Sequence, residues 1–200
     1  MWPELSRRLE GRIVTLEPVL PGHEQPLWEA AQDPQVWLLT SADVGGDRAS
    51  FETWWRELGE AFAAGREVPF ATVERESGRV VGSTRFLTLR PEHRGVEIGH
   101  TWLESARWRS GANIEAKLLM LEHAFERCGC LRVEFKTDAR NLRSRRALEA
   151  LPARFEGIFR KHMLVRGGER RDSAYYAIVD DEWPEVKANL ERRLAAKASP

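Results

Sequence analysis

The sequence predicts a mixed α/β (α+β) fold with one central, largely antiparallel sheet of about six to seven strands and helices on both faces. Short alternating segments bounded by glycine and proline recur along the chain, and segments with helical apolar spacing interrupt them. No internal repeat, low-complexity tract or long linker divides the 200 residues. One domain over 1–200 is therefore expected, with its core at about 11–183 and a terminal helix at 181–197.

Taken in order, Arg12 to Pro18 alternates behind Gly11 and suits a first strand. Two helices follow, near 22–33 and 48–64. The second carries Phe51, Trp54, Trp55, Leu58 and Phe62 at helical spacing and stops near Gly65. Val68–Glu74, Arg79–Leu89 and Val96–Leu103 read as three strands of an antiparallel meander, punctuated by Ser77-Gly78 and by 90–95. Ile114, Leu118, Leu121, Phe125 and Cys128 form the stripe of a long helix. Leu131–Thr137 alternates as a strand, and a short helix is expected from about Asn141 to Leu151. Phe155–Leu164 and Ser173–Val179 are two more strands around Gly167-Gly168. Asp181 is the expected cap of a last helix with Trp183, Leu190 and Leu194 on one side.

Composition narrows the function classes. With 31 basic and 31 acidic residues, no overall charge draws the molecule to nucleic acid or an anionic membrane. No apolar run approaches the roughly 20 residues of a membrane helix, and the first residues lack the apolar core of a secretory signal. Cys128 and Cys130, one residue apart and without a histidine-rich setting, read as reduced thiols rather than a disulfide or a metal site. A cytoplasmic protein without a metal is expected.

The informative segment runs from Ser105 to Asn113. A helix start offers unpaired amides and partial positive charge. Small Ser110, Gly111 and Ala112 let phosphates approach that backbone, flanked by Arg107 and Arg109. The same residues also suit an ordinary helix start capped by Ser110 or Asn113. A second basic cluster, Lys136 to Arg146, surrounds Asn141 and Ser144. If its strand neighbours the one before Ser105, both helix starts open on one end of the sheet. Asn141 fits a helix N-cap as well as a ligand contact.

The runs Glu97-Ile-Gly-His-Thr-Trp-Leu103, Arg109–Ala116, His123–Glu126, Leu131–Glu134 and Asn141-x-x-Ser144-x-Arg146-Ala-Leu-Glu149 together resemble the GNAT acetyltransferases, within them the RimJ/RimL-type group. Similarity continues through Phe155–Lys161, Arg171–Ala177 and Asp181–Trp183. The resemblance implies acetyl-coenzyme A as acyl donor, with the backbone of Thr101, Trp102 and Leu103 holding its pantetheine arm. The family's diphosphate loop aligns with Trp108-Arg-Ser-Gly-Ala-Asn113: Gly111 matches, whereas Trp108 and Asn113 depart. Arg107 or Arg109 would then replace the missing side-chain contact. Asn141, Ser144 and Arg146 fall on the second coenzyme-side motif.

The resemblance also implies amide donors at Trp102 or Leu103 for the developing oxyanion. Where many relatives carry a proton-donating tyrosine, this chain has Leu148. Ser144 is the favoured replacement, with capping or coenzyme contact as its other reading. Glu97 is the favoured base, with an ion-paired strand carboxylate as its other reading, and His100 is the alternative base. Glu134, His162, Asp172, Tyr175 and Tyr176 are further candidates. Trp28, Trp37, Trp54, Trp55 and Trp108 could wall an acceptor pocket or pack the core.

An α-amine, with a pKa of about 7.7–8.0, is far more often neutral near pH 7.5 than a lysine at about 10.4. The expected acceptor is accordingly a small-molecule amine or a protein or peptide N-terminus. A homodimer is a further candidate; nucleic acid and membrane are not expected partners. The rival function is a non-catalytic acyl-coenzyme A sensor. A kinase is disfavoured by the absence of a Gly-x-x-x-x-Gly-Lys-Ser/Thr loop.

Overall fold

A computed structural model describes residues 2–38, 40 and 44–198. Its strands are β1 (Leu9–Glu10), β2 (Val14–Pro18), β3 (Val68–Glu74), β4 (Val80–Arg90), β5 (Gly95–Leu103), β6 (Arg132–Asp138), β7 (Arg154–Val165) and β8 (Glu169–Val179). The helices are α1 (Glu24–Ala30), α2 (Arg48–Ala63), α3 (Ala112–Glu122), α4 (Leu142–Ala150) and α5 (Trp183–Ala198). The strands form one eight-stranded sheet in the order β1-β2-β3-β4-β5-β6-β8-β7. Every neighbouring pair is antiparallel except β5 and β6, which run parallel. The strand beyond the expected number is β1, whose two residues are too few to show an alternation.

The parallel pair places the site. A parallel connection needs a crossover, and α3 supplies it. α3 follows the end of β5 and α4 follows the end of β6, so both helices start at the same end of the sheet, as expected if the two strands were neighbours. One apolar cluster packs α3, α4 and α5 against one face through Leu16, Phe86, Ile98, Leu121, Val133 and Tyr176. A second holds α1 and α2 on the other face through Leu27, Phe51, Leu58, Ala71 and Trp102.

α3 departs from its expected single stripe. Leu121 and Phe125 are buried, but so are Ala112, Glu115, Ala116, Lys117 and Met120, because the sheet lies on one side and α5 on another. The Glu115 carboxylate accepts the backbone amides of Arg12, Ile13 and Val14 at 2.8, 2.6 and 2.7 Å. It thereby ties the start of β2 to α3. α3 then widens into a π turn over His123–Arg127, which brings His123 Nε2 to 3.6 Å from Cys128 Sγ. Burial pushes the thiols of Cys128 and Cys130 up to about 11 and about 12, keeping both protonated. The last helix starts at Trp183 behind a 3-10 turn over Asp180–Glu182, where Glu182 rather than Asp181 accepts the Val179 amide. Among the described residues no helix is long and apolar enough to cross a membrane.

Candidate active site at the split between two strands

β5 starts in register with β6 at Gly95↔Arg132, Val96↔Val133 and Glu97↔Glu134, and the pairing ends there. Beyond Glu97 the two strands part. On its other side, β5 slips one residue against β4 between Ser83↔Trp102 and Arg85↔Gly99. The extra residue is absorbed at His100, whose φ of 47° lies in the left-handed region. Such a bulge turns a strand and re-aims its groups. The simple alternation expected across 96–103 therefore breaks at this residue.

The ladder also decides which amides open into the split. Glu104 N donates to Val81 O, so two residues back Trp102 faces Ser83 in the next bonded pair. The backbones of Thr101 and Leu103 then point away from β4, towards the gap. Consistently, Leu103 O accepts from Trp108 Nε1 at 3.0 Å instead of from β4. Of the two expected oxyanion donors, the Leu103 amide points into the gap and the Trp102 amide does not.

A cavity of about 750 Å³ runs through this split. Glu97, Thr101, Trp102, Leu103, Trp108, Arg109, Gly111, Asn113, Asn141 and Ser144 all line it. Gly111 is the N-cap of α3 with φ 100°, and a Cβ there would meet Ile13 Cδ1 at 2.9 Å. The positive φ calls for glycine, whereas the tip of the Ile13 side chain can give way. Ser110 Oγ accepts the Ala112 amide at 3.2 Å, so neither Ser110 nor Asn113 is the N-cap. The amides of Asn113 and Ile114 have no acceptor within the helix, and both residues face the cavity. At α4, Asn141 Oδ1 accepts the Ser144 amide at 3.0 Å, the expected cap, while Ser144 borders the cavity.

Four expected coenzyme-side residues lie apart from the cavity wall. Arg107 turns away to Glu74 at 2.8 Å. Ser110 and Ala112 are taken up in the turn and the core, and Arg146 is exposed on the far side of α4. The Arg143 guanidinium instead stacks on the Trp108 ring, 3.8 Å from its centroid, joining the two helix starts.

On the opposite face, Glu97 is only 3% exposed and its Oε2 accepts from Lys136 Nζ at 3.0 Å and Thr88 Oγ1 at 3.1 Å. Lys136 thus serves the Glu97 side rather than the second helix start. Desolvation within the cleft and the cations of Arg85, Lys136 and Arg171 lower the imidazole of His100 and weaken it as a base, although the residue is open to the cavity. His162 bridges Ser173 Oγ and Tyr175 OH at 3.0 and 3.1 Å. The remaining candidates are engaged elsewhere: Glu134 by Arg90 and Arg132, Asp172 by the Lys161 amide, and Tyr176 by Arg145 and Glu149. Trp37 and Trp54 line the cavity, whereas Trp28 and Trp55 pack on Phe51. Asp33 holds the Trp37 segment in place by accepting the Ser105 amide at 2.9 Å, contacts with Ser105 that also lower its own carboxyl pKa.

Sequence reasoning missed Lys117. It is buried in the cavity wall, gives Thr101 Oγ1 a 2.7 Å hydrogen bond and lies over the Phe135 ring. Burial lowers its ammonium to about 7. Glu115, Ala116 and Lys117 all lie off the apolar stripe of α3, and nothing in local spacing marks a charged residue of this helix as inward-facing.

Taken together, a split sheet, a bulged strand and a glycine-started crossover helix at the split define an α/β protein with a cleft passing between two parallel strands. Residues 14–154 match the family model described as an acetyltransferase (GNAT) domain. The chain belongs to the GNAT acetyltransferases. It is 30% identical over 115 residues to the uncharacterized N-acetyltransferase YnaD of Bacillus subtilis (strain 168), a match covering 57% of this chain and 65% of YnaD, just under two thirds. A GCN5-related N-acetyltransferase from Brucella melitensis superposes with a TM-score of 0.88 at 32% identity, over 98% of this chain and 88% of that one. RimJ of Mycobacterium smegmatis, solved in complex with CoA-disulfide, shares the fold with a TM-score of 0.77 at 23% identity, over 96% and 95% of the two chains.

Proposed function

We propose that this protein, acting as one domain over 1–200, transfers an acetyl group from acetyl-coenzyme A to a primary amine. The acceptor is the α-amine of a small amino compound or of a protein or peptide N-terminus. One observation carries the reading: a single cavity joins the Gly111 start of α3 to the bulge at His100 and Thr101 of β5. The CoA-disulfide bound by the RimJ of like fold supports the choice of donor, and free Cys128 and Cys130 fit a reducing cytoplasm.

The residues present fit such a donor. The Asn113 and Ile114 amides and the positive end of α3 hold a diphosphate beside Gly111, whose positive φ shapes the turn that opens them. Arg109 and the α4 start flank it, and the Thr101 and Leu103 backbone groups hold an extended arm in the split. When bound, acetyl-coenzyme A supplies an activated acetyl thioester. The Leu103 amide stabilises negative charge developing on the carbonyl oxygen. Glu97 takes the proton that the amine loses as its nitrogen bonds to the acetyl carbon, directly or through water. Ser144 and Lys117 give a hydrogen bond or proton to the sulfur as the C–S bond breaks; Leu148 has none to give.

The test is a panel of amines and peptides with acetyl-coenzyme A, following thiol release, beside calorimetry with the coenzyme. Faster acetylation of lysine side chains than of α-amines would refute the acceptor class. Coenzyme binding without turnover on any amine would favour the sensor, and no binding at all would remove both.

A further inference from the structure

On the Glu97 side of the sheet one buried cation has no counter-charge among the described residues. Arg171 of β8 is 8% exposed and lines the cavity. Its Nε is buried without a hydrogen-bond partner, and among the described residues no carboxylate pairs with its guanidinium. Acids are nearby, yet each is held by another cation. Glu97 pairs with Lys136 at 3.0 Å, and Asp138 with Arg140 at 2.9 Å. Glu134 pairs with Arg90 and Arg132 at 2.6 and 2.8 Å. Glu97 and Asp138 reach Arg171 only through space.

Strand alternation says which half of the cleft this cation serves. Lys136 faces Tyr175, and Asp138 faces Ser173, across the β6–β8 ladder. Ser173 and Tyr175 share His162, and Arg171 lies two residues further along the same face. Tyr176 points the other way, to Arg145 and Glu149 on and beside α4. Arg171 therefore stands with Glu97, opposite the helix starts that hold the donor.

A buried arginine with no anion is costly to retain, and its planar fork is suited to a carboxylate. We infer that Arg171 receives a carboxylate of the acceptor, so that the substrate is an amine carrying an acidic group. This rests on the acetyltransferase reading and narrows its acceptor class. Two sources carry that chemistry: the α-carboxylate of a free amino acid, and an acidic side chain close behind a peptide N-terminus.

The experiment compares acceptors that differ only in carboxylate against carboxamide, as free amino acids and as amidated peptides with Asp or Asn at the second position. Wild type, Arg171→Lys and Arg171→Met are assayed at saturating acetyl-coenzyme A. In wild type the carboxylate member is expected to be favoured on the order of 100-fold in kcat/KM, mostly through KM. In Arg171→Met the ratio collapses to near one, with Arg171→Lys in between. A preference confined to amino acids or to peptides identifies the source. The melting temperature of ligand-free Arg171→Met is expected to rise, since an uncompensated charge is removed. A ratio near one in wild type that turns over amides briskly overturns the proposal and leaves the acetyltransferase standing. A lower melting temperature overturns it as well, by showing a structural arginine. If no amine is acetylated, the parent reading and this one fall together.

Discussion

Lys117 Nζ donates to Thr101 Oγ1 at 2.7 Å, and Thr101 Oγ1 lies 2.7 Å from Thr84 Oγ1, which donates to Met120 Sδ at 3.5 Å. A relay of hydroxyls thus anchors a buried ammonium directly beneath the bulge of β5. No carboxylate pairs with Lys117 among the described residues. The helix behind the split presents a cation whose one polar contact among the described residues is the strand that borders the donor cleft.

This cation makes stability depend on pH in a stated direction. Burial lowers the Lys117 ammonium from 10.5 to about 7. Between about 7 and the unfolded value near 10.4, the unfolded chain holds a proton that the folded chain has released. The Lys117 contribution to stability therefore rises with pH across that window, and the penalty is full below it. Lys117→Met is expected to be the more stable protein at pH 6, by on the order of a few kcal/mol relative to its standing at pH 10. Thermal melts of both proteins from pH 6 to 10 check this, and parallel curves would contradict it.

Glu115 is the opposite case, a buried carboxylate fully used. Its oxygens accept the amides of Arg12, Ile13 and Val14. Glu115→Ala leaves three amides without an acceptor at the start of β2, and about 3–5 kcal/mol of stability should be lost. Urea unfolding measures it; a loss below about 1 kcal/mol would mean water replaces the carboxylate. Gly11→Ala should echo the defect, because a Cβ there collides with the same carboxyl group.

Glu97→Gln separates a base from an ion-paired spectator. If Glu97 removes the amine proton, kcat/KM falls by about 10²–10⁴ for ordinary α-amines. The deficit should shrink for acceptors whose amines have low pKa values and arrive already neutral. A uniform deficit across amines of different pKa would assign Glu97 to holding Lys136 in place.

Elements whose signal is local were legible. Glycine before a helix, the Asn141 cap and the β3–β5 meander all follow from short stretches of chain, whereas the shared end of the two helix starts was conditional on β5 and β6 pairing. What escaped depends on long-range packing. The bulge at His100 breaks a period of two that the residues themselves continue. Lys117 and Glu115 look like solvent-facing charges because amphipathic spacing assumes one buried side, whereas α3 is enclosed by sheet and α5. Trp108 reads as a departure from a family loop; in the fold its Nε1 closes on Leu103 O and its ring meets Arg143. Arg171 sits in a run of charges, Glu169-Arg-Arg-Asp172, and only the sheet register turns that one inward.

Gly111→Ala tests the donor half of the cleft most directly. The residue is held at φ 100°, and a methyl group would press on Ile13 Cδ1 at 2.9 Å. Left-handed backbone costs a non-glycine residue roughly 1–2 kcal/mol. The fold, anchored separately by Glu115, should tolerate this with a modest drop in melting temperature. Binding should suffer more, because relaxing the turn moves the Asn113 and Ile114 amides relative to the diphosphate. Calorimetry is expected to show coenzyme A affinity lowered at least tenfold, which corresponds to about 1.4 kcal/mol, with wild-type-like unfolding cooperativity. Unchanged affinity in a folded Gly111→Ala protein would place the diphosphate somewhere other than the start of α3.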